Sequence, residues 1–465
     1  MTKETKVATK DTELMEKIIS LCKRRGFIFQ GSEIYGGLAG TWDYGHLGVA
    51  LKNNIKSLWW KRFVDDREDV YGVDAAILMN QNVWKASGHV AGFSDPLVED
   101  LKTKKRYRAD HLLESAGVDP KGMSLPEMDS AIKNAKLKSP DGNALSEVRQ
   151  FNMMFKTNVG ATQDENSVSY LRPETAQGMF VNFKNIRDSY NAKLPFGLAQ
   201  IGKAFRNEIA PRDFIFRLRE LEQMEVEYFV DPRNEQKVNE IFENLLEEQQ
   251  AFFRDIGLNT SHVHKVEIAP LDRAHYSKRS VDTEFDYPFG QKELSGLAYR
   301  TDYDLKAHAE MSKVDLSYFD EETKERFVPH CIEPSFGLDR TVLAVMSDAY
   351  TEDNLGGETR AFLKFDFKVA PVKVAVFPLL KNKPQLVEKA REVYKMLKKE
   401  LGQVEFDDNG NIGKRYRRQD EIGTPFCVTV DFDTVEKDNT VTVRNRDSGE
   451  QVRVKIDEII SYLKK

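Results

Sequence analysis

The sequence is poor in cysteine and has no long apolar segment. Its 465 residues include three cysteines, Cys22, Cys331 and Cys427, which are far apart and odd in number. This count and spacing argue against a disulfide framework and against a thiolate metal site. No apolar run follows the first residues, so no signal peptide is predicted, and no stretch is long enough to span a membrane. We therefore expect a cytoplasmic protein that does not contact a membrane.

An excess of one charge and low-complexity sequence are also lacking. The formal net charge is −6 with 31% charged residues, and neither repeats nor biased tracts occur. This balance does not exclude nucleic acid, because RNA binding needs a local basic surface and not a basic average. Hydrophobic residues make up 40% of the chain, which allows a sizeable core. At this length two or three domains are expected.

The apolar pattern indicates a core that is interrupted by an insertion. Helical spacing of apolar residues predicts helices at 11–25, 49–64, 233–256 and 339–350. Short strands separated by turns predict an antiparallel sheet over 151–229, with further strands at 287–305 and 328–336. The charged, proline-containing segment between these regions is predicted to be a partly helical subdomain. The resulting segments are 1–96 and 151–370 for the core and 97–150 for the insertion.

The last hundred residues have the pattern of a separate α/β module. A boundary is predicted at Ala370-Pro371, which leaves a final domain at 371–465, an ordinary domain size. The apolar run 374–377 is typical of a strand that is buried on both faces. A helix is predicted at 386–401, strands at 426–432, 440–446 and 452–456, and a basic loop at 414–418.

A charged hairpin is the most informative part of the middle region. Arg206 and Glu208 share one face of a predicted strand. The returning strand is predicted to place five residues on one face: Arg217, Arg219, Leu221, Gln223 and Glu225. Because arginine binds phosphate through two parallel hydrogen bonds, this hairpin could surround a phosphate-bearing ligand. A salt-bridge ladder on an exposed sheet would give the same pattern.

A second segment, 332–340, passes from a strand into a helix. Glu333, Ser335 and Gly337 share a face by the period of two, and Gly337 lets a ligand approach the backbone. Arg340 falls in the first helical turn, where a cation opposes the helix dipole. An anion bound there would explain its position. Pairing with an acidic neighbour is the alternative.

Together these segments resemble motifs 2 and 3 of the class II aminoacyl-tRNA synthetases, and the run 34–48 with its following helix resembles motif 1. The runs Leu171-Arg172-Pro173-Glu174-Thr175-Ala176-Gln177-Gly178, Glu333-Pro334-Ser335 and 413–425, and Glu208 with Pro211, are similar to the homodimeric glycyl-tRNA synthetase family. The resemblance covers almost the whole chain. It implies an α+β fold, with a catalytic core built on an antiparallel sheet flanked by helices. It also implies an α/β C-terminal anticodon-binding domain with a mixed sheet.

The resemblance further implies a function. The reaction would be ATP-dependent attachment of glycine to the 3′ end of tRNA(Gly) through glycyl-adenylate, by a homodimer that uses ATP and Mg²⁺. Arg206 and Arg340 would be catalytic, through the α-phosphate and the γ-phosphate end. Glu208 would contact the adenine amino group, and Glu293 would help to hold ATP with its Mg²⁺. The implied ATP-binding set is Arg206, Asn207, Glu208, Phe216, Arg217, Leu221, Glu293, Leu294, Gly337 and Arg340.

The resemblance also assigns the other two substrates. Glycine has no side chain to grip, so its ammonium, its carboxylate and the exclusion of bulk must identify it. The implied glycine-binding set is Arg108, Glu174, Gln223, Glu225, Glu333, Ser335 and Gly337. The implied tRNA-binding set is Lys414, Arg415, Arg417 and Arg418, because a basic, aromatic-bearing segment suits an RNA backbone and unstacked bases.

Three positions depart from the family pattern. Leu221 stands where the family usually has the phenylalanine that stacks on adenine, which predicts weaker ATP binding. His46 stands where motif 1 often has proline. The segment 139–143 lacks the thiols of a zinc knuckle that many relatives carry, so no structural zinc is expected.

Two alternatives stay open at this point. The chain could be a class II synthetase for another amino acid, although the glycine-type segments around Glu174 and Glu333 argue against this. It could also be a non-catalytic relative that only binds nucleic acid. Such a relative should lose the phosphate-binding arginines, whereas Arg206, Arg217 and Arg340 are all present.

Overall fold

The first part of the chain builds a helical layer and one edge of the central sheet. The fold is that of a computed structural model, which describes residues 3–161, 163–165 and 167–464. The helices predicted at 11–25 and 49–64 are both present, and the second continues into a π-helical turn at Lys61–Asp65. The elements are α1 (Lys3–Arg25), β1 (Ile28–Gln30), β2 (Trp42–Tyr44), α2 (His46–Trp60), β3 (Val70–Gly72), α3 (Gln81–Ala86) and α4 (His89–Gly92).

A small subdomain follows, with its own sheet and core. Its strands pair in the order β5-β4-β6, and its helices pack around Val98, Leu113 and Ile132. The sequence indicated the helices but not this sheet, because the strands carry mainly polar side chains that do not alternate clearly. The elements are β4 (Ser94–Glu99), β5 (Arg106–Arg108), α5 (Ala109–Ser115), α6 (Leu125–Asn134) and β6 (Arg149–Asn152).

The middle of the chain supplies most of the central sheet. Its elements are β7 (Lys156–Asn158), β8 (Val168–Tyr170), α7 (Ala176–Tyr190), β9 (Phe196–Phe205), β10 (Glu220–Val230), α8 (Glu235–Asp255), β11 (Val263–Glu267), β12 (Arg279–Tyr287), β13 (Gly290–Thr301), α9 (Tyr303–Ser312), β14 (Tyr318–Phe319), β15 (Arg326–Phe327), β16 (His330–Gly337), α10 (Leu338–Ala349), β17 (Tyr350–Leu355) and β18 (Glu358–Leu363).

The central sheet has seven strands in the order β11-β12-β13-β16-β10-β9-β3. All neighbouring pairs are antiparallel except β3 and β9. Helices α2, α8 and α10 cover one face through a large core that includes Trp59, Phe252 and Phe336. Helix α7 covers the other face around Phe180 and Phe229. The polar residues at the centre of the sheet therefore lie between two apolar layers.

The strand predicted at 287–305 ends earlier in the structure than the prediction placed it. Strand β13 stops at Thr301, whose φ is +59°, and α9 begins two residues later. Apolar pattern alone did not show this break, because the turn is stabilised by a buried ion pair. Asp304 in the first turn of α9 accepts hydrogen bonds from Arg300 at the end of β13.

The C-terminal domain is an α/β module with a mixed five-stranded sheet. The strand order is β20-β19-β21-β22-β23, parallel across the first three strands and antiparallel across the rest. The basic segment 414–418, predicted to be a loop, lies instead within a helix that Asn411 caps. The elements are β19 (Val374–Pro378), α11 (Pro384–Leu401), β20 (Val404–Phe406), α12 (Ile412–Ile422), β21 (Phe426–Val430), β22 (Thr440–Asn445), β23 (Gln451–Lys455) and α13 (Ile459–Leu463).

The predicted fold class is confirmed: an antiparallel-rich core with flanking helices is joined to a C-terminal module with a mixed sheet. Within residues 3–161, 163–165 and 167–464, no helix is both long enough and apolar enough to cross a membrane.

Candidate active site

The hairpin of β9 and β10 carries the centre of the site. In its register Leu221, Gln223 and Glu225 lie opposite Ala204, Gly202 and Gln200. Leu221, Gln223 and Glu225 therefore share one face, as the period of two predicted. Strand β10 starts only at Glu220, so Arg217 and Arg219 lie in the loop that joins the strands and not on the strand itself.

A first cavity opens beside this hairpin and is lined by three arginines. Eight of the ten residues predicted to bind ATP meet there, and β10, β13, β16 and the start of α10 all contribute to its wall. The lining residues are Arg206, Glu208, Ile215, Phe216, Arg217, Leu218, Leu221, Glu222, Gln223, Glu293, Ser335, Gly337, Asp339 and Arg340.

Arg340 forms the far wall of this cavity. Its guanidinium lies 4.4 Å from the ring centre of Phe216, and its Nη1 lies 2.9 Å from Glu293 Oε2. Phe216 is fixed by edge contacts with Tyr287 and Phe289. A guanidinium stacked on an aromatic ring offers a flat cationic surface, which suits a purine or a phosphate.

Arg217 lies among several like charges at the mouth of the same cavity. Its Nη1 is 3.9 Å from Glu208 Oε2. Burial, together with the charges of Arg108, Arg212 and Arg340, lowers its pKa, although Glu208 opposes this shift. A cluster of cations that destabilise one another is favourable only if an anion binds between them.

A second cavity, of about 600 Å³, contains the buried carboxylates. Glu225 accepts hydrogen bonds from the Ser335 hydroxyl at 2.6 Å and from Gln223 Nε2 at 2.8 Å, and also from Thr175. Glu174 accepts from Gln177 Nε2 at 3.0 Å and lies 3.4 Å from His89 Nε2. These two groups form one wall of the cavity.

Glu333 completes the acidic floor. It accepts hydrogen bonds from Arg300 Nη1 at 3.0 Å on both oxygens. Burial raises the pKa of Glu333 to about 8 against the opposing charge of Arg300. Burial and the charge of Glu174 also raise the pKa of Glu225, whereas His89 and Arg300 outweigh burial and lower that of Glu174. The cavity therefore has more carboxyl groups than cations.

Arg300 and Asp304, which the sequence did not single out, hold this floor in place. Arg300 is 2% exposed and donates through Nε and Nη2 to the two oxygens of Asp304, both at 2.9 Å. Gln177 Nε2 also donates to Asp304, at 2.9 Å, and His308 bonds Gln177. The sequence carried no signal for this pair, because Arg300 lies at the end of a strand and does not share a helix with Asp304.

Asp339 is a second residue that the sequence analysis missed. Its carboxylate accepts from Tyr44 at 2.6 Å, from Lys52 at 3.1 Å and from the backbone N–H of Glu222 at 2.8 Å. It therefore joins α2, β10 and α10. This explains how the motif 1 segment fixes Arg340, the next residue in the chain.

Three predicted residues are not among the described residues that line either cavity. Leu294 faces the core and is fully buried. The backbone N–H of Asn207 bonds the Met153 carbonyl. Arg108, predicted to bind glycine, instead pairs with Asp95 and Asp110, each at 2.6 Å. Its charge lies close enough to lower the pKa of Arg217, so it belongs to the cation cluster.

The basic helix of the C-terminal domain divides into exposed and buried residues. Arg417 pairs with Glu358 at 2.8 Å and Arg418 with Asp407 at 2.5 Å, and together with Lys414 they line a surface cavity. Arg415 is only 1% exposed and donates to the carbonyls of Pro378, Asp408 and Gly410. The prediction that Arg415 contacts tRNA is therefore wrong, because its side chain fills the interior.

Comparison with known proteins agrees with this geometry. Residues 155–349 match the model of the tRNA synthetase class II core domain (G, H, P, S and T), and residues 373–465 match the anticodon binding domain. The chain is 50% identical to glycine–tRNA ligase of Clostridium acetobutylicum, over 98% of this chain and 99% of the relative. The glycine–tRNA ligases of Caldanaerobacter subterraneus and Bacillus cereus are 50% and 49% identical, each over 97% of this chain and at least 97% of the relative. The chain belongs to the glycine–tRNA ligase family.

Leu221 and His46, the two positions expected to depart from the family pattern, can both be located. Leu221 lines the first cavity with an aliphatic side chain, and Phe216 lies beside Arg340. His46 is the first residue of α2 and packs against Gly26. Because proline at this first helical position needs no N–H partner, either residue allows the helix to start.

The segment 139–143 forms a hydrogen-bonded turn around a carboxylate. Asp100 accepts from the Ser139 hydroxyl at 2.5 Å and from Asn143 Nδ2 at 3.0 Å. It also accepts from the backbone N–H groups of Lys102 and Thr103, both at 2.8 Å. Side-chain and backbone hydrogen bonds thus hold this turn.

Proposed function

We propose that the chain attaches glycine to the 3′ end of tRNA(Gly) in an ATP-dependent reaction that passes through glycyl-adenylate. The observation that carries the proposal is a pair of cavities that share a wall. The first contains three arginines, of which Arg217 has its pKa lowered by burial and by neighbouring cations, and the second contains more carboxyl groups than cations. Arg206, Gln223, Glu293 and Ser335 line both. A nucleotide phosphate and an amino acid would therefore meet at Arg206.

ATP fits the first cavity. Arg217 and Arg340 are placed to bind the terminal phosphates, and Glu208 to accept from the adenine amino group. Leu221 and Phe216 supply the apolar surface for the base. Catalysis needs no protein nucleophile, because orientation of the reactants and stabilisation of phosphate charge are sufficient for this chemistry.

Magnesium fits beside Glu293 only with help from the nucleotide. Glu293 is half exposed, and Asp282 nearby has a pKa raised to about 7 by burial and by the charges of Glu293 and Glu284. Among the described residues no group of three or more His, Cys, Asp or Glu side chains is arranged to hold a metal. Mg²⁺ commonly binds one or two carboxylates together with phosphate oxygens, which matches this arrangement. When bound, it would neutralise phosphate charge.

Glycine fits the floor of the second cavity. Its ammonium would contact Glu174 and Glu225 beside the Arg300–Glu333 ion pair, and Ser335 lies next to Glu225. A larger amino acid is rejected by steric clash, which is the easy direction of selection, so no editing site is required.

Arg206 is placed for the reaction itself. Its Nε donates to the Pro173 carbonyl at 3.0 Å, which fixes the side chain at the boundary of the two cavities. A glycine carboxylate oxygen attacks the α-phosphorus and pyrophosphate leaves with the electrons of the broken P–O bond. In the second step a terminal ribose hydroxyl of tRNA attacks the glycyl carbonyl, loses its proton, and AMP leaves. Arg206 stabilises the negative charge at the α-phosphate in both steps.

The exposed surfaces fit the macromolecular partners. Lys414, Arg417 and Arg418 form a basic face on α12 for the tRNA backbone. Ile34 and Tyr35 in the motif 1 segment are 89% and 87% exposed. An apolar patch of this kind marks an interaction site, and we infer that a second copy of the chain covers it to form a homodimer. The three buried cysteines form no disulfide bonds, which is in keeping with a cytoplasmic location.

Amino-acid-dependent ATP–pyrophosphate exchange tests the proposal. A panel of amino acids should give exchange with glycine only, and exchange that depends on any other amino acid would show that the glycine assignment is wrong. Arg206→Ala should abolish exchange while Arg219→Ala, on the same loop but bonded to backbone carbonyls, should affect it less. Undiminished exchange by Arg206→Ala would mean that the site lies elsewhere.

A further inference from the structure

A fourth carboxyl group lies in the interior next to the proposed glycine site. Glu227 follows Gln223 and Glu225 at alternate positions of β10, so it shares their face of the sheet. It is fully buried. Strand β10 pairs with β16 so that Glu225 is opposite Ser335 and Tyr228 is opposite Ile332. This register places Glu227 directly opposite Glu333.

The two opposed carboxyl groups have different hydrogen-bond partners. Arg300 donates to both oxygens of Glu333 and, through its other nitrogens, to Asp304. Glu227 receives no hydrogen bond from Arg300; its Oε2 accepts only the Cys331 thiol, at 3.0 Å. Among the described residues its Oε1 has no hydrogen-bond partner at all. A buried carboxylate without a cation and with an empty oxygen is strongly unfavourable.

We propose that Glu227 is a positioning residue for glycine, a carboxylic acid that keeps its proton beneath Glu333. In this form it faces Glu333 as a neutral group and not as a second anion, and its Oε2 still accepts the Cys331 thiol. Arg300 then stays committed to Glu333 and Asp304, and Glu333 stays aligned toward the ammonium of glycine. The role is indirect, because Glu227 does not reach the cavity surface.

The electrostatics of every neighbouring element agree with this assignment. The charged and titratable groups that act on Glu227 are Glu333 and Cys331 from β16, Arg300 from β13 and Glu225 from β10 itself. Asp304 from α9 is bonded to Arg300. Burial first, and then the charge of Glu333, raise the pKa of Glu227 well above its ordinary value, although Arg300 opposes this shift. Burial also raises the pKa of the Cys331 thiol, so it remains a donor. One proton shared by opposed carboxyls is the usual solution where only one can ionise.

Two substitutions separate this role from a charged or a merely space-filling one. Glu227→Gln mimics the protonated acid in shape and in its donor. Glu227→Met has similar length but no hydrogen-bonding group. The readout is kcat and KM for glycine in ATP–pyrophosphate exchange, between about pH 6 and about pH 9. Glu225→Gln, two residues away on the same strand, is the matched control whose charge is proposed to contact glycine.

The proposal expects Glu227→Gln to keep kcat/KM for glycine within about twofold, with an acid limb that superimposes on that of the wild type. Glu227→Met should raise the glycine KM about fivefold with little change in kcat, the effect of losing one buried hydrogen bond. Glu225→Gln should lose at least about tenfold in kcat/KM.

Three results would overturn the proposal. A loss in Glu227→Gln as large as in Glu225→Gln would show that a charge is required. An acid limb moved to lower pH in Glu227→Gln would show that Glu227 is ionised in the wild type and repels Glu333. Equal behaviour of the Met and Gln variants would show that it only fills space. If the variants do not fold, infrared spectra of the glycine-saturated wild type decide. At about pH 9, above the pKa of Asp282, which is raised to about 7, a protonated carboxyl is still expected, and its absence contradicts the proposal.

This inference rests on the proposed binding of glycine ammonium to Glu333, which a separate variant tests. Glu333→Gln should raise the glycine KM and leave the ATP KM unchanged. If it does not, the glycine site itself is misplaced. If it does, and Glu227→Gln fails its own criteria, only the role of Glu227 is wrong.

Discussion

Acidification should weaken glycine binding well above the ordinary range of a carboxyl group. Burial raises the pKa of Glu333 to about 8 and also raises that of Glu225, because the pocket contains more carboxyls than cations. Glycine brings the missing cation, and its ammonium favours the ionised form of both groups. Binding should therefore release a proton from Glu333 at any pH below about 8.

The magnitude follows from the titration of a single group. At pH 6, two units below the pKa of Glu333, about one site in a hundred has this carboxyl ionised before glycine binds. Because half of the sites are ionised at pH 8, the apparent affinity should fall about fiftyfold between pH 8 and pH 6, which is about 2.3 kcal/mol. The direction is fixed by the sign of the shift, since a raised carboxyl pKa makes the empty pocket hold a proton that the occupied pocket must lose. Glu174, whose pKa is lowered, should contribute nothing to this slope.

Calorimetric titration of glycine in buffers of different ionisation enthalpy measures the proton directly. Near pH 7 the observed enthalpy should depend on the buffer with a slope close to one released proton. The glycine KM in pyrophosphate exchange should fall in parallel as the pH rises toward 8. Identical enthalpies in all buffers, with a glycine KM that is flat from pH 6 to pH 8, would refute the cation-deficient pocket.

Further predictions concern the ATP cavity, the C-terminal helix and the motif 1 patch. Leu221→Phe should lower the ATP KM about fivefold by restoring an aromatic face worth about 1 kcal/mol; an ATP KM that stays the same or rises contradicts this. Arg415→Ala should lower the melting temperature by removing buried hydrogen bonds, whereas Lys414→Ala should raise the tRNA KM at unchanged melting temperature. The reverse pattern would contradict the division of α12 into a buried Arg415 and an exposed basic face. Replacing Ile34 and Tyr35 by serine should give monomers in analytical ultracentrifugation, and an unchanged sedimentation coefficient would exclude this interface.

Residues that act along one strand could be read from the sequence. The faces of β10 and β16 follow the period of two, so Gln223 was predicted to share a face with Glu225, and Ser335 with Glu333. The grouping of residues from different elements, such as Arg206 with Arg340, came from the resemblance to the synthetase motifs. The fold class came from that resemblance together with the apolar periodicities, which report which faces are buried.

Residues that act between elements could not be predicted in this way. Arg300 and Asp304 meet because β13 ends in a left-handed turn, which apolar pattern does not reveal. Asp339 serves three elements that are distant in sequence. Arg415 looked like an RNA contact because composition does not show whether a basic side chain points inward. In each case a polar group is satisfied by partners that only the tertiary structure supplies.

The lack of a side chain explains why the proposed selection of glycine depends on charge. An amino acid without a side chain offers a protein only its ammonium, its carboxylate and its small size. The proposed pocket would use the first of these, because Glu225 and Glu333 lie where carboxyl groups outnumber cations and the ammonium of glycine would favour the ionised form of both. Such a pocket is unstable when empty unless its carboxyls keep protons, and those protons must leave when glycine enters. Selectivity for the smallest substrate is therefore coupled to a proton balance in the protein interior, and Glu227 is the group in that balance that should keep its proton throughout.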